Sequence, residues 1–112
     1  MITGTDIYIT RGDTQTIEVA CVDVDGVAVS FSAGDTIYFT VKTSVETEDI
    51  VFQKVITTFT NGKALITITP ADTKNLDFKN FAYDVQWTKA DGSVYTLIKP
   101  SMFVVGSEVT YE

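Results

Sequence analysis

Histidine is missing from this sequence, and cysteine occurs once, as Cys21. Without histidine, the commonest general base, the usual catalytic triads and most zinc sites are gone. A lone cysteine excludes an intramolecular disulfide. Basic residues are few: 8 Lys and Arg against 15 Asp and Glu leave a net charge of −7. Such a surface repels phosphate backbones, so nucleic acid is not an expected partner. No apolar run approaches the roughly 18–20 residues of a membrane-spanning helix, and no membrane partner is expected. The opening Met1-Ile2-Thr3-Gly4-Thr5-Asp6 lacks the basic start and apolar stretch of a signal peptide. Synthesis and folding in the cytoplasm are expected, with later release inside an assembly. These absences predict a protein that is not an enzyme and holds no cofactor or metal.

Leucine is also scarce, at 3 residues, whereas Val, Ile and Thr number 14, 10 and 18. β-Branched side chains suit a pleated sheet and lose rotamer freedom in a helix. The chain is 45% apolar over 112 residues, enough for one core in one domain spanning 1–112. An all-β domain is the expectation.

Period-two alternation places the strands. Asp6–Thr10 is followed by Arg11-Gly12-Asp13, then by a run from Gln15 to Val24 with Ile17, Val19 and Cys21 on one parity. A short apolar piece, Val27–Phe31, precedes a turn at Ser32-Ala33-Gly34-Asp35. Thr36–Lys42 alternates cleanly, with Ile37, Phe39 and Val41 on one face and Tyr38, Thr40 and Lys42 on the other. Ile50–Thr58 leads through Asn61-Gly62, a strong hairpin signal, into Lys63–Thr69. The turn type stays open, because the linker is longer than two residues unless Phe59 and Thr60 pair. Pro70–Leu76 breaks the pattern and holds at most one helical turn beginning at Pro70. Phe81–Lys89 puts Phe81, Tyr83, Val85 and Trp87 on one parity, Asp91-Gly92 marks a second tight turn, and Ser93–Lys99 and Met102–Val105 close the chain. Pro100 cannot donate to a ladder and requires a bulge, a bend or an edge. About seven strands separated by turn signals predict an immunoglobulin-like, two-sheet antiparallel sandwich, with an open barrel as the alternative.

Several groupings invite chemical readings. Arg11-Gly12-Asp13 is the integrin-binding tripeptide, yet Gly and Asp are ordinary between strands. Asp23-Val24-Asp25-Gly26 opens like a calcium loop but lacks the later acidic ligands, so a turn is expected. Glu46, Glu48 and Asp49 form an acidic cluster whose plain reading is a solvated loop. Asp72, Asp77, Asp84 and Asp91 are scattered carboxylates with nothing to set a catalytic separation. Tyr83 and Trp87 share the apolar parity of their strand and are expected in the core, as is Cys21. Tyr8, Tyr38 and Tyr95 are the candidates for an exposed binding or packing face.

The second half carries a longer pattern: Ile66–Thr73, Leu76, Phe81-Ala82-Tyr83-Asp84-Val85-Gln86-Trp87, Asp91–Ile98, then Phe103-Val104-Val105 before Glu108-Val109-Thr110. Ile9–Asp13, Asp35–Lys42 and Phe52-Gln53-Lys54 extend it through the first half. This resembles small immunoglobulin-like domains of tailed-phage and prophage structural proteins, and is similar to the N-terminal domain of phage upper baseplate proteins. Lys99-Pro100 departs from it, standing where a glycine-containing turn into the last strand is expected. The resemblance implies a non-catalytic component of a virion or tail-like particle. It implies other phage tail proteins as partners, along with self-association, and supplies no catalytic residues. A carbohydrate- or surface-binding sandwich is the alternative, with Tyr38, Tyr95, Asp23 and Asp25 as its candidate contacts.

Overall fold

A computed structural model describes residues 6–22, 25–44, 50–74 and 80–106. Its larger sheet has five strands: β1 (Ile7–Thr10), β5 (Thr36–Lys42), β6 (Ile50–Ile56), β8 (Asn80–Thr88) and β9 (Val94–Gly106), in the order β1-β9-β8-β5-β6. Facing it is the antiparallel pair of β2 (Gln15–Val19) with β7 (Ala64–Ile68). The short β3 (Cys21–Val22) pairs with β4 (Ala28–Val29). A single turn of helix, α1 (Pro70–Thr73), follows β7. The fold is mostly β and sandwich-like.

Alternation is what builds the core. In β5 and β8 every second residue is buried, so Ile37, Phe39, Val41, Phe81, Tyr83, Val85 and Trp87 point inward. From the facing pair come Val19, Ala64, Ile66 and Ile68, all buried in the same cluster. Phe39 sits at its centre, with ring centroids 5.2 Å from Tyr83 and 6.2 Å from both Phe52 and Phe103. Fully burying one such side chain contributes about 1.5–3 kcal/mol.

The turns follow local chemistry. Asn61 (φ 53°) and Gly62 (φ 74°) both take positive φ, while Thr60 and Lys63 exchange backbone hydrogen bonds of 2.9 and 3.0 Å. Thr60 therefore pairs, and the turn has two residues of the primed type that matches strand twist. Pro70 opens α1, and Asp72 Oδ2 accepts from the Thr69 backbone N–H at 2.7 Å and from its hydroxyl at 3.0 Å.

Three features depart from a plain seven-stranded antiparallel sandwich. The run from Gln15 breaks at Ala20, so β2 and β3 pair with different partners. The last two apolar segments form one strand, β9, of 13 residues. Over the span where β8 advances from Tyr83 to Gln86, β9 passes from Ser101 to Thr96, so it carries two extra residues in bulges. Pro100 falls in the first of these bulges, where its missing N–H breaks no ladder bond. Finally, β1 joins β9 in parallel, Ile7 opposite Phe103 through Thr10 opposite Gly106. No hairpin can announce that pair, because its strands lie at opposite ends of the described chain.

Candidate interaction face

The outward parity of the large sheet forms one broad face. It carries Tyr8 from β1, Met102 and Val104 from β9, Ala82, Asp84, Gln86 and Thr88 from β8, Tyr38, Thr40 and Lys42 from β5, and Gln53 and Val55 from β6. Several of its apolar side chains are open to solvent: Tyr8 is 67% exposed, Ile50 53% and Val55 51%. Between them lies a polar row in which Thr40 is opposite both Asp84 and Gln53, and Gln53 Nε2 donates to Thr40 Oγ1 at 2.9 Å. The first β9 bulge leaves a notch of about 50 Å³ beside this row, lined by Thr40, Lys42, Ser44, Asp84 and Pro100 among others. Burial pushes the Asp84 carboxyl up from its ordinary value, and the Lys42 charge partly offsets the push. The notch has room for water. It brings together one carboxylate, one ammonium and the hydroxyls of Thr40 and Ser44.

The three candidate tyrosines do not share this face. Tyr8 and half-buried Tyr38 are both on it, but Tyr8 is in register with Asn80 of β8 and Tyr38 with Gln86, so three strand steps of about 4.8 Å and six residues of about 3.3 Å put them roughly 25 Å apart. Tyr95 is opposite Trp87 and so has the core-side parity at the sheet's end. Its ring lies 5.7 Å from the Trp87 ring and remains 50% exposed. Tyr95 shares its parity in β9 with buried Leu97, Phe103 and Val105, and the two extra residues in the bulges, being even in number, leave that parity unchanged.

That end of the domain is organised by Asp35, a residue the sequence marks only as part of a turn. Asp35 is 4% exposed. Its Oδ2 accepts from the Ser32 N–H at 3.0 Å and its Oδ1 from the Ala90 N–H at 3.1 Å, joining two turns. The Ser32 bond holds its carboxyl below the usual aspartate value against the opposing effect of burial, with help from Ala90 and the Lys89 charge. The Trp87 indole N–H is near enough to favour the charged carboxylate, yet it falls short of hydrogen-bond geometry and has no partner among the described residues. Trp87 itself is 6% exposed, packed edge-on to Phe31 at 5.0 Å with Lys89 Nζ 5.3 Å from its ring centroid. Tyr83 and Cys21 are likewise buried.

The remaining motif residues take structural places. Gly12 (φ 87°) donates its N–H to buried Thr73 Oγ1 at 2.9 Å, so the Arg11-Gly12-Asp13 turn is pinned to α1. Asp25 is exposed in a turn with Gly26 (φ 80°). Asp72 holds Lys54 Nζ at 2.7 Å. Asp23, Glu46, Glu48, Asp49 and Asp77 lie outside the described residues. Among the described residues, no three His, Cys, Asp or Glu side chains gather as a metal site would require. No helix there is long and apolar enough to cross a membrane. What sequence reasoning missed is the exposed edge formed by Ile50 and Val55. The available signal was that Val55 has the parity opposite to Phe52 and Ile56.

Neither family models nor curated proteins nor solved structures contain a match to this chain.

Proposed function

We propose that this chain is a non-catalytic structural module of a phage or prophage particle, associated with its tail, baseplate or fibre, and that it works by presenting sheet surface to neighbouring subunits. The observation that carries the reading is the outer face of the five-stranded sheet, which no other described element covers. There Tyr8, Ile50 and Val55 stay more than half exposed although a stable core already exists beneath them. Exposed apolar surface on a folded domain marks contact sites for other proteins. Both sheet edges offer further pairing sites.

The finer architectural reading is immunoglobulin-like, of the variable type. Supporting it, the order β9-β8-β5-β6 has the form of a G-F-C-C′ sheet, and β2 with β7 has the form of a B-E pair. α1 then occupies the corner between E and F. Of the candidate contacts of the carbohydrate-binding alternative, Tyr95 is 50% exposed beside buried Trp87, Tyr38 is half-buried, Asp25 is exposed, and Asp23 lies outside the described residues. Fold analogy alone does not assign function. The deciding experiment is mass spectrometry of purified particles from the source cell after prophage induction. The chain is expected in the particle fraction; its consistent restriction to soluble cytosol would overturn the phage-structural reading.

A further inference from the structure

Glycine carries no Cβ, so its backbone nitrogen is the least hindered in a chain. That nitrogen can attack the side chain of an Asn or Asp placed just before it. The chain has three such dipeptides, Asp25-Gly26, Asn61-Gly62 and Asp91-Gly92. Asn61-Gly62 differs from the other two in its leaving group: an amide departs as ammonia, whereas an ionised carboxylate would have to lose oxide. At Asp91-Gly92 both reacting groups are also engaged. Asp91 Oδ1 accepts from the Ser93 N–H at 2.9 Å, and the Gly92 N–H donates to the Lys89 carbonyl at 2.9 Å. The Gly62 N–H donates no hydrogen bond among the described residues, and Asn61 is exposed. Asn75 and Asn80 precede Leu76 and Phe81, whose side chains hinder such an attack.

We propose that Asn61 is a site of spontaneous deamidation and that the turn from Thr60 to Lys63 gates it. The Gly62 amide gives its proton to hydroxide from solvent, and its nitrogen attacks Asn61 Cγ. An N–Cγ bond forms, the Cγ–Nδ2 bond breaks, and the departing nitrogen takes a proton from water to leave as ammonia. The resulting succinimide ring then adds water at one of its two carbonyls. Opening at one carbonyl returns an aspartyl residue. Opening at the other gives an isoaspartyl residue, with the main chain routed through the former side chain. No oxidant or reductant is needed.

The gate is the backbone conformation. Positive φ at Asn61 (53°) and Gly62 (74°), with the reciprocal hydrogen bonds between Thr60 and Lys63, makes this a type I′ turn. The first central residue of such a turn has ψ of about +30°, which points the next nitrogen away from that residue's own Cγ. Ring closure therefore waits on opening of the turn. The turn is docked as well. Gly62 O accepts from the Phe31 N–H at 3.0 Å, and a Cβ on Gly62 would lie 2.5 Å from Ser30 Oγ. Phe31 is itself packed against Phe59 and Trp87. An isoaspartyl residue lengthens the main chain of this turn by one methylene. A two-residue turn so lengthened cannot restore both bonds between Thr60 and Lys63 while keeping Gly62 against Ser30. The modification is thus a one-way release of the hairpin from Ser30 and Phe31. It also adds a negative charge to a chain already at −7.

This chemistry is independent of the phage reading. The test ages the full chain in mildly alkaline buffer, natively folded and in concentrated urea, and follows each Asn by peptide mapping with tandem mass spectrometry. Asn61 is expected to react before Asn75 and Asn80 in both conditions, and at least about tenfold more slowly in the folded chain, because reaction there needs a local opening. Thr60→Pro removes the N–H of one turn hydrogen bond and is expected to speed the native reaction several-fold. Asn61→Asp supplies the added charge without the extra methylene, and Asp-Gly suits the same turn. It should unfold in urea as the wild type does, whereas aged chain enriched in isoaspartate should unfold at lower urea, both followed by Trp87 fluorescence. Earlier reaction at Asn75 or Asn80 overturns the site. Equal rates in the folded and unfolded chain overturn the gate. An aged chain as stable as the fresh one overturns the release of the hairpin.

Discussion

Asp35→Asn replaces two hydrogen-bond-accepting carboxylate oxygens with one carbonyl oxygen and an amide NH₂. In the native domain Oδ2 serves the Ser32 N–H at 3.0 Å and Oδ1 the Ala90 N–H at 3.1 Å, across 55 residues of chain. The variant leaves one N–H facing another donor. A hydrogen bond to a charged group contributes about 1.5–3 kcal/mol. Ser32 and Ala90 lie on exposed turns, so water restores part of the loss. The expected destabilisation is about 1–2.5 kcal/mol for Asp35→Asn and about 2–4 kcal/mol for Asp35→Ala, which loses both bonds. The pH dependence follows from the direction of the shift. The folded carboxyl titrates below its ordinary value of 3.8, so its stabilisation is fully present above that value and is lost as pH falls through the lower folded one. Asp84 is shifted the opposite way by burial, so the wild-type profile mixes both effects and the difference between wild type and variant isolates Asp35. Urea unfolding followed by the fluorescence of Trp87, the single tryptophan, supplies the assay. The difference should be largest at neutral pH and shrink in strong acid. A loss under about 0.5 kcal/mol at neutral pH, or a difference that stays constant into acid, would refute the bridging role assigned to Asp35.

Trp87→Ala should cost about 3–5 kcal/mol, the range for a buried large aromatic, measured by circular dichroism during thermal or urea unfolding. A loss below about 1 kcal/mol would mean that the ring does not pack against Phe31 and Tyr95 as described. Two glycines with positive φ separate conformation from space. At Gly92 (φ 92°) an added Cβ meets nothing within 4 Å, so Gly92→Ala should cost only the left-handed penalty of about 1–2 kcal/mol. At Gly62 (φ 74°) the Cβ would lie 2.5 Å from Ser30 Oγ, so Gly62→Ala should cost a further ~1–3 kcal/mol. Parallel melting curves decide the order, and equal losses would contradict the close approach of the Asn61-Gly62 turn to Ser30.

The features legible from the residues alone are those governed by neighbours in the chain. Alternation placed Phe81, Tyr83, Val85 and Trp87 together inward, because successive side chains on a strand point to opposite faces. Asn61-Gly62 and Asp91-Gly92 marked their turns through tolerance of positive φ, and Pro70 marked the start of α1. Pro100 announced a break in the ladder before any partner strand was known. Strand order belongs to a different scale of information. The parallel β1–β9 pair and the Asp35 bridge to Ala90 join segments far apart in sequence, and no local preference selects one distant partner over another. The tyrosines show the same divide. Each sits on a strand that local reasoning recognised, yet which of them share a face is set by their partners across the sheet: Tyr95 is opposite inward Trp87, whereas Tyr38 is opposite outward Gln86 and Tyr8 is opposite Val104. A one-residue slip in pairing reverses which face a side chain takes, so exposure on this sheet is a property of the assembled ladder and not of any single strand. The open edge at β6 arises in the same way: its residues favour a strand in any setting, and it is the packing of the other strands that leaves its far side without a partner among the described residues.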